Sequence, residues 1–213
     1  MTTTSIVLGS SGLIGMRLLH ELEKKNTNII AVMRRSEKNL PKKITPLIID
    51  FDDFIENGLL PRCDHLYICL GTTIKKAGSK AEFRRVDLDY CLAFANKAKE
   101  SGASKISVVT SIGADAKSSN FYLRTKGLLE EGIKKLSFES VCIFQPGLLL
   151  GERRENRFLE NVGQKISFIT NIFLVGRLRK YRSVKAHVIA NSMANTSLSK
   201  GIKILRYDDF NNT

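Results

Sequence analysis

Tyr122 and Lys126 stand four residues apart, a spacing that puts both side chains on one face of a helix. A lysine ammonium so placed holds a ribose hydroxyl, and its charge makes a neighbouring phenol the stronger acid. The spacing alone decides nothing, because 5 tyrosines and 20 lysines among 213 residues supply about 0.5 such pairs by chance. A second pair, Tyr181 with Lys185, is present. Context separates them. Tyr122 follows Val108-Val109-Thr110-Ser111, a strand-like run ending in two hydroxyls, and falls eleven residues after Ser111 on the first turn of the next helix. Tyr181 follows a basic run with no such strand before it.

A second constellation is built to bind. Ile6-Val7-Leu8-Gly9-Ser10-Ser11-Gly12-Leu13-Ile14-Gly15 passes from a strand directly into a helix, with glycines three residues apart. Gly9 permits the tight turn, Gly12 lets backbone approach a pyrophosphate, and Gly15 lets the helix pack closely. Phosphate then rests on the free N–H groups and positive dipole of the helix N-terminus. The end of the second strand bears on which dinucleotide binds. Met33-Arg34-Arg35-Ser36 places two guanidiniums where an NAD-preferring site carries an acid for the ribose 2′-hydroxyl. Guanidiniums fork onto a 2′-phosphate, so NADP(H) is favoured, and Glu37 keeps NAD open as the lesser reading.

The elements that must position these groups alternate along the chain. Short apolar or β-branched runs recur at Ile6–Leu8, Ile29–Met33, Leu47–Ile49, Leu66–Leu70, Ile106–Thr110 and Val141–Phe144, and each reads as a strand buried on both faces. Helix-period segments lie between several of them, at Leu13–Lys25, Ala81–Glu100 and Asn120–Leu136. Strand, helix and strand in repeated order require right-handed crossovers and a mostly parallel, doubly wound α/β sheet. Residues 1–213 form one domain by this reading.

Composition narrows the setting. Four cysteines without CxxC spacing are too few for a disulfide scaffold and too scattered for zinc, and three separated histidines add no ligand set. No metal is expected. Asp52, Asp53 and Glu56 read as an exposed acidic helix start. No apolar run approaches the ~20 residues of a membrane span, and the five residues before the first apolar run leave no room for a signal peptide. The cytoplasm is the expected compartment. A net charge of +13 favours anionic ligands, although the lysines are spread along the chain rather than gathered. Nucleic acid is not expected.

The ordered set GSSGLIG (from Gly9), CLGTT (Cys69–Thr73), VDLDY (Val86–Tyr90), TSIGA (Thr110–Ala114), FYLRTKG (Phe121–Gly127), QPGLLLG (Gln145–Gly151) and YRSVKAHVIANSM (from Tyr181) resembles the short-chain dehydrogenase/reductases. It is most similar to their atypical subgroup that includes the Tat-interacting oxidoreductase. The resemblance covers essentially the whole chain. It implies Tyr122 as proton donor or acceptor, Lys126 on the nicotinamide ribose, and Ser111, with Thr110 as its alternative, on the substrate oxygen. Asp50 and Phe51 would flank the adenine, Leu70, Gly71 and Thr72 would line the cofactor after the fourth strand, and Pro146, Gly147 and Leu148 would face the nicotinamide. The family's fourth polar catalytic residue has no recognisable counterpart. The implied reaction is hydride transfer between NADP(H) and a small carbonyl or alcohol substrate, with residues 151–200 forming a small substrate lobe. The alternative is an NADPH-binding regulator or assembly factor with little turnover. Ile166, Ile169, Phe173 and Leu174, followed by Arg177, Arg179, Lys180 and Arg182, read as a lid stripe with solvated charges. The same pattern admits peripheral contact with an anionic membrane or acidic protein, and a homodimer is a further admitted assembly.

Overall fold

A computed structural model of the chain describes residues 3–25, 27–150, 176–197 and 199–211. Its strands, in chain order, are β1 (Thr3–Leu8), β2 (Thr27–Met33), β3 (Ile44–Ile48), β4 (His65–Ile68), β5 (Lys105–Val109), β6 (Ser140–Phe144), β7 (Leu149–Leu150), β8 (Val184–Lys185) and β9 (Gly201–Leu205). Seven of them form one sheet in the order β3-β2-β1-β4-β5-β6-β9, and every neighbouring pair is parallel. β7 and β8 make a separate two-stranded ribbon. All six strands read from the sequence are present. The edge strand β3 departs from the expectation of burial on both faces, because only Ile44 is buried while Thr45, Pro46 and Ile48 are exposed. Proline, which donates no ladder hydrogen bond, suits such an edge.

Alternate residues of β1, β2, β4, β5 and β6 feed two cores, as a period of two requires when both faces are covered. Ile6 and Leu8 of β1 face one layer with Ile106, Val108, Phe94 and Leu129, while Val7 faces the other with Leu18, Leu19, Leu22, Ile189 and Met193. The first layer holds helices α2 (Phe51–Asn57), α5 (Tyr90–Glu100) and α6 (Phe121–Lys135); the second holds α1 (Leu13–Glu23) and α7 (Ala186–Asn195). Two short helices, α3 (Ile74–Ala77) and α4 (Lys80–Arg84), lie between β4 and α5.

The single helix expected over Ala81–Glu100 is three pieces: α4, a π-helical turn over Arg85–Asp89, and α5. A π-turn inserts one residue into the helical register and is found mostly where function or packing holds it. Asp52 and Asp53 lie in the first turn of α2 as expected, and Asp50 caps it, its Oδ1 accepting from the Asp52 and Asp53 amides at 2.9 and 3.1 Å. Asp52 does more, accepting a hydrogen bond from the Tyr90 hydroxyl at 2.5 Å and pairing with the Arg85 guanidinium, so it ties α2 to the π-turn.

Of the 151–200 range, residues 151–175 lie outside the described residues, and with them Ile166, Ile169, Phe173 and Leu174 of the stripe. The rest holds a 3₁₀ turn (Gly176–Tyr181), β8 and α7, and α7 packs against α1. Arg179, Lys180 and Arg182 of the four cations after the stripe are engaged within the chain, with Lys180 Nζ 5.2 Å from the Tyr181 ring centre. Arg179 pairs with Asp208 at 2.9 Å, and the Arg182 guanidinium lies 5.9 Å from the Tyr207 ring centre.

Candidate functional site

Strand order reverses between β1 and β4, and two adjoining cavities open there at the C-terminal strand ends, where ligands of open α/β sheets bind. The larger, about 830 Å³, is lined by Gly12, Leu13 and Ile14, by Leu70, Gly71 and Thr72, by Ser111, Tyr122 and Lys126, and by Pro146, Gly147 and Leu148. The smaller, about 320 Å³, is lined by Gly9, Ser11, Arg34, Arg35, Glu37 and Phe51, and shares Gly12, Leu70 and Gly71 with the first. All but three of the site residues named from the sequence thus line one continuous cleft.

The three exceptions have structural tasks. Ser10 is fully buried and its hydroxyl donates to the Val32 carbonyl at 2.8 Å, tying the glycine turn to β2. Gly15 serves packing: a Cβ there would sit 2.2 Å from the Gly9 carbonyl oxygen. Asp50 is the α2 cap.

The glycine turn fits a dinucleotide. Gly9 has φ +78° and lies so close to the end of β4 that a Cβ would meet Leu70 N at 2.4 Å, which excludes every other residue type on strain and contact together. α1 begins at Leu13 with no side chain capping it and no acid in its first turn, so its free amides and positive dipole end face the cleft. Arg34 stands over the Phe51 ring at 5.9 Å. The Phe51 ring and the two guanidiniums of the smaller cavity suit an adenosine half, and the larger cavity has room for the remainder.

The Tyr-Lys face is built by α6. Asn120 caps the helix through the Leu123 amide at 3.2 Å, which puts Tyr122 in the first turn and Lys126 one turn on. Tyr122 packs on Phe83 with ring centres 5.7 Å apart. Ser111 and its alternative Thr110 both line the larger cavity and are distinguished by their hydrogen bonds. The Thr110 hydroxyl is buried and donates to Glu130 Oε1 at 2.5 Å. Ser111 has only a 3.3 Å contact with the Ile112 carbonyl and faces the cavity.

Sequence reasoning assigned Asp87 no role. It lies on the π-turn, fully buried, with one carboxylate oxygen 2.6 Å from Lys126 Nζ and the other accepting the Thr72 amide at 2.8 Å. Burial disfavours the Lys126 ammonium, but the Asp87 carboxylate, with Tyr122 beside it, more than offsets this and holds its pKa above the ordinary lysine range. The two residues sit 39 positions apart, and Asp87 lines the cleft from the π-turn. Position 87 within VDLDY was the available signal.

The raised Lys126 pKa has a consequence for stability. The unfolded chain releases this proton near 10.5, while the folded protein keeps it to higher pH, so stability is whole below that value and falls as pH rises through the folded pKa. Urea midpoints from pH 8 to 12 should show this fall as a difference between the wild type and D87N/K126M. The buried thiols Cys63, Cys91 and Cys142, pushed up to about 12 by burial, contribute to both proteins and largely cancel. A difference independent of pH would remove the assignment.

Tyr181 occupies a place the sequence did not indicate. Tyr181 and Lys185 lie on a 3₁₀ turn and on β8, so no shared helix face exists. Yet Tyr181 lines the larger cavity, because Gly147 lets the 181–182 backbone approach to where a Cβ would sit 2.8 Å from the Tyr181 carbonyl.

A parallel sheet wound in both directions from β1, with an uncapped glycine turn at its reversal point and Ser, Tyr and Lys gathered beside it, defines a Rossmann protein of the short-chain dehydrogenase/reductase class. No known family profile matches the chain. Comparison with individual proteins places it further. It is 36% identical over 157 residues to Protein HTATIP2 of Rattus norvegicus, a match covering 71% of this chain and under two thirds, 64%, of the rat protein. It is 30% identical over 210 residues to Protein FMP52, mitochondrial, of Candida albicans, covering 94% of this chain and 91% of the yeast protein. The chain belongs to this atypical short-chain dehydrogenase/reductase family of HTATIP2 and FMP52 proteins. The Bordetella bronchiseptica enzyme WbmG, solved in complex with NAD, shares the fold with a TM-score of 0.66 at 11% identity, covering 97% of this chain and 73% of WbmG.

The fungal relatives are named as mitochondrial proteins, and this overturns the cytoplasmic expectation. Reduced cysteines and an apolar census carry no organelle address, since such addresses are read by receptors rather than by fold physics. Among the described residues no helix is long and apolar enough to cross a membrane.

Proposed function

We propose that the protein is an NADP(H)-dependent oxidoreductase acting on a carbonyl or alcohol substrate. The observation that carries this reading is that Ser111, Tyr122 and Lys126 line the same cavity as the free N-terminus of α1. Bound in this cleft, a nicotinamide dinucleotide supplies or accepts hydride. Gly9, Ser11, Gly12 and the first amides of α1 hold its phosphates, and Phe51 and Arg34 take the adenine end. Tyr122 gives its proton to the substrate oxygen in reduction and removes it in oxidation. Ser111 donates a hydrogen bond to the same oxygen as charge develops there. Lys126 has three donors; one goes to Asp87, leaving two for ribose hydroxyls. Pro146, Gly147 and Leu148 close the nicotinamide side, and residues 151–200 supply the substrate lobe. Cofactor oxidation measured against aldehydes, ketones and quinones tests the reaction, and a protein that binds NADPH yet turns over none of them argues against it.

A second reading, an NADPH-binding regulator acting through a protein partner, draws on one observation. Lys126 is already paired with a buried carboxylate, so its charge is balanced before any ligand arrives. The same assay separates the two.

Cofactor choice rests on Arg34 and Arg35, which line the smaller cavity. NADPH should bind at least several-fold tighter than NADH, and R34A/R35A should erase that preference, because a 2′-phosphate loses both forked partners. Calorimetric titration measures both affinities. Equal affinities in the unmodified protein would sink the claim.

A further inference from the structure

Glu130 is a buried acid to which the proposed reaction assigns no task. It lies one turn beyond Lys126 and two beyond Tyr122, on the same face of α6. Its Oε1 accepts the Thr110 hydroxyl at 2.5 Å, and its two oxygens accept the Gln145 amide nitrogen at 3.0 and 3.1 Å. Gln145 Oε1 in turn accepts Arg206 Nε at 3.1 Å. The chain of donors therefore has one direction: Arg206 to Gln145 to Glu130, met from the other side by Thr110. Each of these partners stands at the end of a strand beside the cleft. Thr110 precedes Ser111, Gln145 precedes Pro146 and Gly147, and Arg206 follows β9. Backbone bonds join the same ends, from the Gln145 amide to Leu205 O at 2.8 Å and from the Ile112 amide to Pro146 O at 2.9 Å.

We infer that Glu130 is a positioning residue: it locks the ends of β5 and β6 to α6, and so holds Ser111 and the Pro146-Gly147 wall at a set distance from Tyr122. The inference rests on the oxidoreductase reading for its catalytic consequence and on the hydrogen-bond directions for its geometry. A carboxylate accepts only, and that fixes Gln145 with its nitrogen toward Glu130 and its oxygen toward Arg206. Glu130→Gln breaks the pattern although it keeps the shape. The new amide nitrogen faces the Gln145 nitrogen, and turning Gln145 over sets its nitrogen against the Arg206 guanidinium instead. A group left facing a like donor in a buried site loses its hydrogen bond and forces a shift. The double variant E130Q/Q145E exchanges the acid and the amide and so satisfies every group again. Thr110 then donates to the amide oxygen on α6, the amide nitrogen on α6 donates to the carboxylate at the end of β6, and that carboxylate accepts from Arg206.

The test is a kinetic comparison of the wild type, E130Q and E130Q/Q145E on whichever carbonyl substrate the wild type reduces, with NADPH affinity measured alongside. E130Q should lose at least tenfold in kcat with cofactor affinity within about threefold, because the glycine turn and Arg34 lie across the cleft, and the double variant should regain most of the loss. An E130Q enzyme with wild-type kcat, or a double variant no better than E130Q, overturns the inference. If E130Q does not fold, recovery of folding and kcat in the double variant supports it, and failure of both overturns it. Should the wild type bind NADPH without turnover, the oxidoreductase reading fails by itself. Hydrogen exchange of segments 110–113 and 145–148 then decides the inference: faster in E130Q and restored in the double variant supports it, unchanged overturns it.

Discussion

Tyr122→Phe should lower kcat by about 10²- to 10⁴-fold, the range a positioned general acid contributes, while leaving NADPH affinity close to the wild-type value. Only the hydroxyl is removed, and the ring keeps its packing against Phe83 at 5.7 Å, so the helix start and the cavity wall persist. An interaction made only in the transition state lowers kcat and kcat/KM together, and that is the signature to seek. Tyr181→Phe is the matched control, because Tyr181 lines the same cavity but sits on a 3₁₀ turn with no lysine sharing a helix face. It should retain turnover within a few-fold. If Tyr181→Phe proves the damaging change and Tyr122→Phe the silent one, the acid is Tyr181 and the roles assigned along α6 fall.

Breaking the Asp87–Lys126 pair should have the largest effect on stability. Both side chains are almost completely removed from solvent, at 1% and 5% exposure, and the charges approach to 2.6 Å. Removing one member of such a pair strands the other charge, and losses of about 3–5 kcal/mol are usual. Asp87→Asn and Lys126→Met should each lose an amount of that order in urea unfolding. D87N/K126M strands no charge, so it should be far more stable than the sum of the single losses predicts. The coupling read from that cycle is the quantity of interest, and strictly additive losses would show that the pair is not a unit. Lys126→Met should also weaken cofactor binding, in contrast to Tyr122→Phe.

Much of the architecture was legible because both-face burial leaves a plain mark. Ile6–Leu8 and Leu66–Leu70 are unbroken apolar runs, and Ile106–Thr110 is broken only by Ser107 and the terminal Thr110, because each strand feeds two cores, and the helices between them repeat at a helical period. β3 and β9 were harder for the same reason. Edge strands are covered less, and Ile202 and Ile204 of β9 remain 55% and 39% exposed, so their pattern resembles an ordinary surface segment. The glycine turn was legible because Gly9 meets a steric demand that no other residue satisfies. The π-turn was not, because Ala81–Glu100 is compatible residue by residue with one regular helix, and the contacts its residues make, Arg85 with Asp52 and Asp87 with Lys126, are tertiary.

By itself the sequence determined the sheet's class, the phosphate-binding turn and the residues whose chemistry suits the cleft, since each depends on local periodicity, backbone conformation or side-chain type. Only the tertiary structure decided which acids meet them. Asp87 pairs with Lys126 across 39 residues, Glu130 claims the Thr110 hydroxyl and leaves Ser111 toward the cavity, and Tyr181 enters the wall opposite through the close approach at Gly147. Charge pairing and hydrogen bonding act over a few ångströms of space, and chain folding sets which distant positions share that space.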